Sequence, residues 1–132
     1  MKCDIIKLER VQRQAARFVK NNYDYNSSVT EMLSELGWTD LETRRRDLRL
    51  TLLFKVVKNL VEVPLDDVGL ELADQRTRSQ HSYKFRVPKC STDNMRFFLP
   101  ARTIPIWNNL PAELVNSEKV KTFKSGLTSH FK

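Results

Sequence analysis

The helical pattern of this chain is clearest in residues 4–22, which read DIIKLERVQRQAARFVKNN. Apolar side chains recur there at steps of three and four residues, which bring them onto one face of a helix, with basic side chains mostly beside or opposite them. The stretch therefore predicts an amphipathic helix. Its apolar stripe consists of Ile5, Leu8, Val11, Ala15, Phe18 and Val19.

Two further helices are predicted in the first half of the chain. Residues 28–31 (SVTE) have the spacing of a capping box, and Gly37 is suited to end the short helix that follows. A second capping box at residues 39–42 (TDLE) opens a long helix over about residues 40–60.

The second half of the chain is predicted to contain a β-hairpin and a final helix. Apolar and basic side chains alternate over residues 83–87 (YKFRV), which is a strand pattern with a basic outer face. Residues 95–99 (MRFFL) are the predicted partner strand. The predicted fold class is mostly α with a small β-hairpin, a compact helical domain of about four helices.

The whole chain, residues 1–132, is predicted to be a single domain. Residues 1–63 form its helical half, residues 64–81 form an acidic-to-basic loop, and residues 82–132 hold the hairpin and the C-terminal helix. The segment 102–111 (RTIPIWNNLP) is predicted to be a rigid turn anchored by one aromatic ring. The predicted structural anchors are Trp38, Trp107, Pro105 and Pro111, with base stacking as the alternative role of the two tryptophans.

The formal net charge is +7, and its distribution along the chain is uneven. Residues 61–74 carry five acidic and no basic side chains, whereas residues 75–110 carry seven basic side chains and one acidic one. A basic stripe interrupted by an acidic loop suits a polyanionic partner, although a solvated surface paired with local carboxylates is the alternative. The predicted nucleic-acid-binding residues are Arg10, Arg13, Arg17, Lys20, Arg44, Arg45, Arg46, Arg49, Arg76, Arg78, Lys84, Arg86, Lys89, Arg96 and Arg102.

The residues of a catalytic or metal centre are scarce in this sequence. It has two cysteines and two histidines, widely spaced, which do not make a zinc ligand set. The Asp66-Asp67 pair follows a proline in an acidic stretch, whereas a polymerase site holds its carboxylates on a strand hairpin. We therefore expect no enzymatic activity, no cofactor and no metal. Without a signal peptide or a long apolar run, we expect a protein of the cytoplasm or nucleus with no membrane partner.

Five segments, taken in order, resemble the region that follows the reverse transcriptase in the polyproteins of LINE-type (non-LTR) retrotransposons, in particular the jockey-like group. The segments are LERVQRQAAR at 8–17, LGW at 36–38 followed by Leu41 and RRR at 44–46, RTRS at 76–79, RTIPIWNNLP at 102–111, and FKSGL at 123–127. Their agreement in order is what makes the resemblance specific.

The resemblance implies a non-catalytic C-terminal module that holds RNA or an RNA–DNA hybrid, with an upstream reverse-transcriptase domain as a partner where one is present. Because the chain is short, it corresponds either to a truncated element copy or to a separately used fragment. Two other functions stay open: a structural packing domain for the polymerase, and a decayed element fragment without activity. The sequence does not indicate an oligomeric state.

Overall fold

The computed structural model describes residues 2–64, 69–73, 81–89, 91–92 and 99–131. Most of these residues are helical, which confirms the prediction of a mostly α protein. The helices of the described residues are α1 (Lys2–Lys20), α2 (Val29–Glu35), α3 (Leu41–Val57), α4 (Leu99–Asn108), α5 (Ala112–Val115) and α6 (Val120–His130).

The chain divides into two units, and the boundary between them falls inside α3. The N-terminal unit, Met1–Arg45, holds α1, α2 and the start of α3. The C-terminal unit, Arg46–Lys132, holds the rest of α3 and α4 to α6. The predicted single domain over residues 1–132 stays a prediction.

In the N-terminal unit, α1 packs against α2, and Ala16, the one fully buried residue among residues 4–20 of α1, does not belong to the predicted apolar stripe. Ala16 on α1 and Met32 on α2 are buried. The apolar stripe, in contrast, leaves large side chains in contact with solvent, because the packed face of α1 lies to one side of it. The exposed members of the stripe are Leu8, Val11, Phe18 and Val19.

Side chains and a glycine fix the helix ends of this unit. Ser28 caps α2 by accepting a hydrogen bond from the Glu31 amide at 3.3 Å, as the capping-box spacing predicts. Gly37 ends the helix at φ +65°, a conformation that glycine adopts without strain. At the start of α3, the cap is Asp40, whose Oδ2 accepts from the Thr43 amide at 2.9 Å.

A second carboxylate completes the start of α3. Glu9 Oε1 accepts hydrogen bonds from the amides of Leu41 at 2.7 Å and Glu42 at 3.3 Å. Negative charge at a helix N-terminus is favourable, because the free amides carry partial positive charge. The predicted capping box at residues 39–42 is therefore replaced by carboxylates from Asp40 and from α1.

The C-terminal unit has a core of aromatic and aliphatic side chains around Trp107. The rings of Phe54 on α3 and Phe123 on α6 stack with centroids 4.3 Å apart. Trp107 lies 6.1 Å from the Phe123 ring and 6.5 Å from the Phe85 ring. The other members of this buried cluster are Leu50, Leu53, Val56, Leu70, Ile104, Leu110, Val115 and Leu127.

The segment 102–111 differs from the predicted rigid turn. Its first seven residues belong to α4, which continues through Pro105. Ile104 and Trp107, three residues apart, both point into the core, and their burial favours the helix over the turn that the prolines suggest. Pro111 is the N-cap residue of α5, in extended conformation.

The predicted hairpin is not supported. The second predicted strand covers residues 95–99, but Leu99 begins α4, and residues 95–98 lie outside the described part of the chain. Phe85, at the centre of the predicted first strand, forms an isolated antiparallel bridge with Leu72, and the described residues contain no longer strand.

The segment 83–87 does not extend into a sheet, because the side of its backbone that faces away from Leu72 already has a hydrogen-bonding partner. The bridge bonds run from the Ala73 amide to the Lys84 carbonyl and from the Arg86 amide to the Glu71 carbonyl. In this antiparallel pattern, the N–H and C=O of Phe85 point away from Leu72. The side chain of Asn108 takes both of them, so that α4 occupies the place of a further strand.

Candidate nucleic-acid interface

The predicted cations of α1 form one continuous face, called here the α1 basic face: Arg10, Arg13, Arg17 and Lys20. Their spacing of three, four and three residues keeps them on one side of the helix, over about 15 Å of its axis. Arg10, Arg13 and Lys20 are exposed, and Arg17 is half-buried.

The internal contacts of the α1 basic face leave most of its charge available. Arg10 and Arg13 make no ion pair within the described residues. Lys20 pairs with Glu35 at 2.7 Å, and Arg17 donates to the Asp24 carbonyl oxygen at 2.8 Å, which orients the guanidinium without neutralising it. An ion pair at the surface contributes little free energy, so a phosphate can compete with Glu35 for Lys20.

The acidic residues of α1 do not interrupt this face. Its two carboxylates belong to Asp4 and Glu9. Glu9 binds the start of α3, and Asp4 pairs with Lys7 at 3.7 Å. The α1 basic face is therefore the most coherent cationic surface that the structure gives to the predicted site residues.

The arginines at the start of α3 separate into two kinds. Arg44 and Arg45 are exposed and make no ion pair within the described residues. Arg46 is committed to the C-terminal unit: its guanidinium carbon lies 3.7 Å from the centroid of the Phe131 ring, and its Nη2 lies 3.0 Å from Asp47 Oδ1. Arg49 is half-buried. Arg44 and Arg45 are thus better placed than the other two to meet a polyanion.

The basic segment of the second half is only partly available as a surface. Arg86 is exposed and makes a long contact, 3.4 Å, with Glu71, and Lys89 is exposed. Lys84 and Arg102 are half-buried. Phe85, in the middle of this segment, is buried in the core and offers no ring to a bound base. Three further predicted contacts, Arg76, Arg78 and Arg96, lie outside the described residues.

The two tryptophans have different environments. Trp107 is fully buried, and its Nε1 donates to the Tyr83 carbonyl oxygen at 2.8 Å, in agreement with its predicted place in the core. Trp38 keeps 37% of its surface exposed, so the prediction of a second core anchor is wrong. It lines a cleft of about 490 Å³ in the N-terminal unit, together with Gln12, Gly37, Thr39, Leu41 and Arg44.

Two residues that the sequence analysis did not single out hold the segment 81–85 on α4. Asn108 Oδ1 accepts from the Phe85 amide at 3.0 Å, and its Nδ2 donates to the Phe85 carbonyl at 2.8 Å. His81 Nε2 lies 3.0 Å from the Trp107 carbonyl oxygen, so we place the proton of the neutral ring on Nε2, as donor. Each of these hydrogen bonds joins residues more than twenty positions apart in the chain, so no periodic pattern in the sequence identifies the two partners.

His81 is a buried titratable group. Burial lowers its pKa below the ordinary value of 6.5, the hydrogen bond to the Trp107 carbonyl opposes that change, and the nearby charge of Lys84 adds to the lowering of the pKa. Its Nδ1 is buried without a partner within the described residues. The ring is therefore held neutral in a structural position beneath Trp107.

A second cationic surface lies on α6. Lys121 and Lys124 are exposed one turn apart, and the helix contains no acidic residue. Their exposed neighbours on this helix are neutral: Thr122, Ser125, Thr128 and Ser129. The absence of carboxylates between residues 120 and 130 is visible in the sequence, but two cations one turn apart form a smaller surface than the four of the α1 basic face.

Within the described ranges, no group of three or more His, Cys, Asp or Glu side chains is arranged to hold a metal ion. None of the helices described here combines the length and the apolar character of a membrane span. Comparison of the chain with protein-family models, with curated proteins and with solved structures finds no match.

Proposed function

We propose that the chain is a non-catalytic module that binds RNA or an RNA–DNA hybrid, and that it corresponds to the C-terminal region of a retrotransposon reverse-transcriptase protein, as its sequence resemblance implies. Such a module acts inside the cell, in the cytoplasm or the nucleus, where its nucleic-acid partner is found. The observation that carries the proposal is the α1 basic face, with two arginines that make no ion pair within the described residues.

The α1 basic face suits phosphates rather than base edges. Its side chains are long, with several rotatable bonds, and they follow one another along a helix surface, so each can reach a phosphate without a fixed register. Contacts of this kind position a nucleic acid but do not read its sequence. Each phosphate that the face neutralises releases counterions, which makes the affinity strongly dependent on salt.

The location of the interface can be tested with two variants of equal charge loss. The first, Arg10→Gln with Arg13→Gln, removes two cations of the α1 basic face. The second, Lys121→Gln with Lys124→Gln, removes two exposed cations of α6. Affinity for a fluorescein-labelled single-stranded RNA is measured by anisotropy at low salt, with circular dichroism as a check on helix content.

We expect the α1 variant to weaken RNA binding clearly more than the α6 variant does. An equal loss in both variants would contradict the proposed location, because it would show that net charge decides the affinity. No binding by the unaltered protein at low salt would contradict the nucleic-acid function altogether.

One observation favours the alternative function, a packing domain for a polymerase. The apolar stripe of α1 leaves 61% of Val11 and 74% of Phe18 exposed, with Leu8 and Val19 beside them. A large contiguous apolar surface is typical of a docking site for another protein. The upstream reverse-transcriptase domain, where present, is the partner that this alternative requires.

Size-exclusion chromatography separates the two functions. A packing domain without its partner should self-associate through the stripe, and Val11→Ser with Phe18→Ser should restore a monomer. A packing domain should also lack affinity for RNA. A monomeric protein that binds RNA supports the nucleic-acid module, and the third possibility, a decayed fragment, predicts neither property.

A further inference from the structure

We infer that the cleft beside Trp38 is a stacking site for one unpaired base of a single-stranded nucleic acid, with Arg44 placed to meet a neighbouring phosphate. This inference rests on the proposed nucleic-acid function and specifies the form of nucleic acid that the N-terminal unit takes. The cleft lies wholly within that unit.

The backbone at Trp38 is held in place by hydrogen bonds to α2 and to α1. The Trp38 amide donates to the Leu33 carbonyl at 2.8 Å, and the Gly37 amide donates to the Ser34 carbonyl at 3.0 Å. These two bonds form the Schellman arrangement that closes α2. On the other side, Gln12 Nε2 donates to the Thr39 carbonyl at 2.9 Å. The ring is therefore presented from a fixed backbone, which lowers the entropy lost on binding.

The Trp38 ring is available for a ligand. Within the described residues, no aromatic ring stacks on it and no cation lies over it, whereas Trp107 touches the rings of His81, Phe85 and Phe123. A partly exposed tryptophan next to an arginine is the combination that single-strand-binding proteins use, because every base has a face that can stack.

The polar groups of the cleft complement a nucleotide. Arg44 is exposed and makes no ion pair within the described residues. Two carboxylates of this region, Glu9 and Asp40, already accept hydrogen bonds from the start of α3.

These features select a single strand over a duplex. Stacking on Trp38 requires a base that has left its own stack and its pairing partner, which a duplex does not supply. Inorganic polyphosphate, which offers charge but no base, can meet Arg44 and the α1 basic face but not the ring. The inference therefore separates base stacking from the phosphate contacts of the proposed function.

The test compares three ligands, namely a labelled oligouridylate, an RNA duplex of the same length and inorganic polyphosphate, the last two used as competitors. The variants are Trp38→Leu and Trp38→Phe. Tyr25→Leu is the matched control, because Tyr25 is an exposed ring of the same unit, 94% exposed, that does not line the cleft. Circular dichroism checks that each variant folds.

We expect Trp38→Leu to weaken oligouridylate binding by about 5-fold to about 150-fold. Trp38→Phe should retain part of the affinity, and Tyr25→Leu should retain all of it. Binding of the duplex and of polyphosphate should not change in any variant. Loss of all three ligands in parallel, or no loss of the oligouridylate, would overturn the stacking site.

Tryptophan emission gives a second readout, which uses only the unaltered protein. Trp107 is buried, so quenching by a bound base reports on Trp38. Saturating oligouridylate should quench the emission, and polyphosphate should not. Binding without quenching would refute the stacking site but leave the proposed function intact. No binding of any polyanion would refute both.

Discussion

At the residue scale, the two tryptophans show what a local pattern can and cannot decide. Both stand beside turn-forming residues, and both were predicted to be core anchors. Trp107 is buried because Phe85 and Phe123 meet it from distant parts of the chain, whereas Trp38 has no such partner among the described residues. Burial depends on these distant partners, and a short sequence window does not contain them.

His81 gives a prediction of pH dependence at this scale. Burial, opposed in part by the hydrogen bond to Trp107, lowers its pKa in the folded protein below 6.5, so protonation favours unfolding. The folded protein therefore has its full stability, as far as His81 is concerned, above pH 6.5. It loses part of that stability as the pH falls through 6.5 towards the lowered pKa of His81 in the folded state. The urea midpoint should therefore decrease between about pH 7.5 and about pH 5, above the range in which most carboxylates titrate.

The control variants assign this decrease to one ring. His81→Gln should show a smaller decrease, and His130→Gln, which changes an exposed ring, should keep the decrease of the unaltered protein. The ring resonances of His81 should titrate below pH 6.5 in a proton NMR titration. A titration above that value would show that the ring is not held neutral by burial.

At the element scale, the sequence predicts the first three helices well. Residues 4–22, 28–37 and 40–60 contain α1, α2 and α3 almost completely, because apolar periodicity and caps are local properties. The start of α4 and the hairpin were predicted wrongly for the same reason. Pro105 and the alternation at 83–87 are local signals, and the core contacts of Trp107 and the side chain of Asn108 override them.

The hydrogen bonds of Asn108 that attach segment 81–85 to α4 should contribute measurably to stability. Asn108→Ala removes both hydrogen bonds to the backbone of Phe85, a buried residue, and leaves its N–H and C=O without these partners. We expect the free energy of unfolding to fall by about 1–3 kcal/mol. Urea denaturation monitored by circular dichroism measures the change.

The adjacent asparagine is the matched control for this attachment. Asn109 directly follows α4, is exposed and donates one hydrogen bond, at 3.0 Å, to the Pro105 carbonyl of that helix. Asn109→Ala should change the free energy of unfolding by no more than about 0.5 kcal/mol. Equal effects of the two substitutions would show that Asn108 does not hold the segment.

At the scale of the whole molecule, composition gives the excess of positive charge but not its arrangement. The sequence placed fifteen cations in one predicted interface. The structure shows that they differ: Arg46 is engaged with Phe131 and Asp47, whereas Arg10 and Arg13 make no ion pair within the described residues. Such differences depend on which acidic and aromatic groups the fold brings near each cation.

The salt dependence of the affinity for single-stranded RNA shows whether the α1 basic face binds nucleic acid through phosphates. The logarithm of the binding constant should fall linearly with the logarithm of the salt concentration. Removal of two contacts by Arg10→Gln with Arg13→Gln should make the slope shallower by about 1.4. Binding that does not respond to salt, or a slope that the double substitution leaves unchanged, would show that the α1 basic face does not bind phosphates.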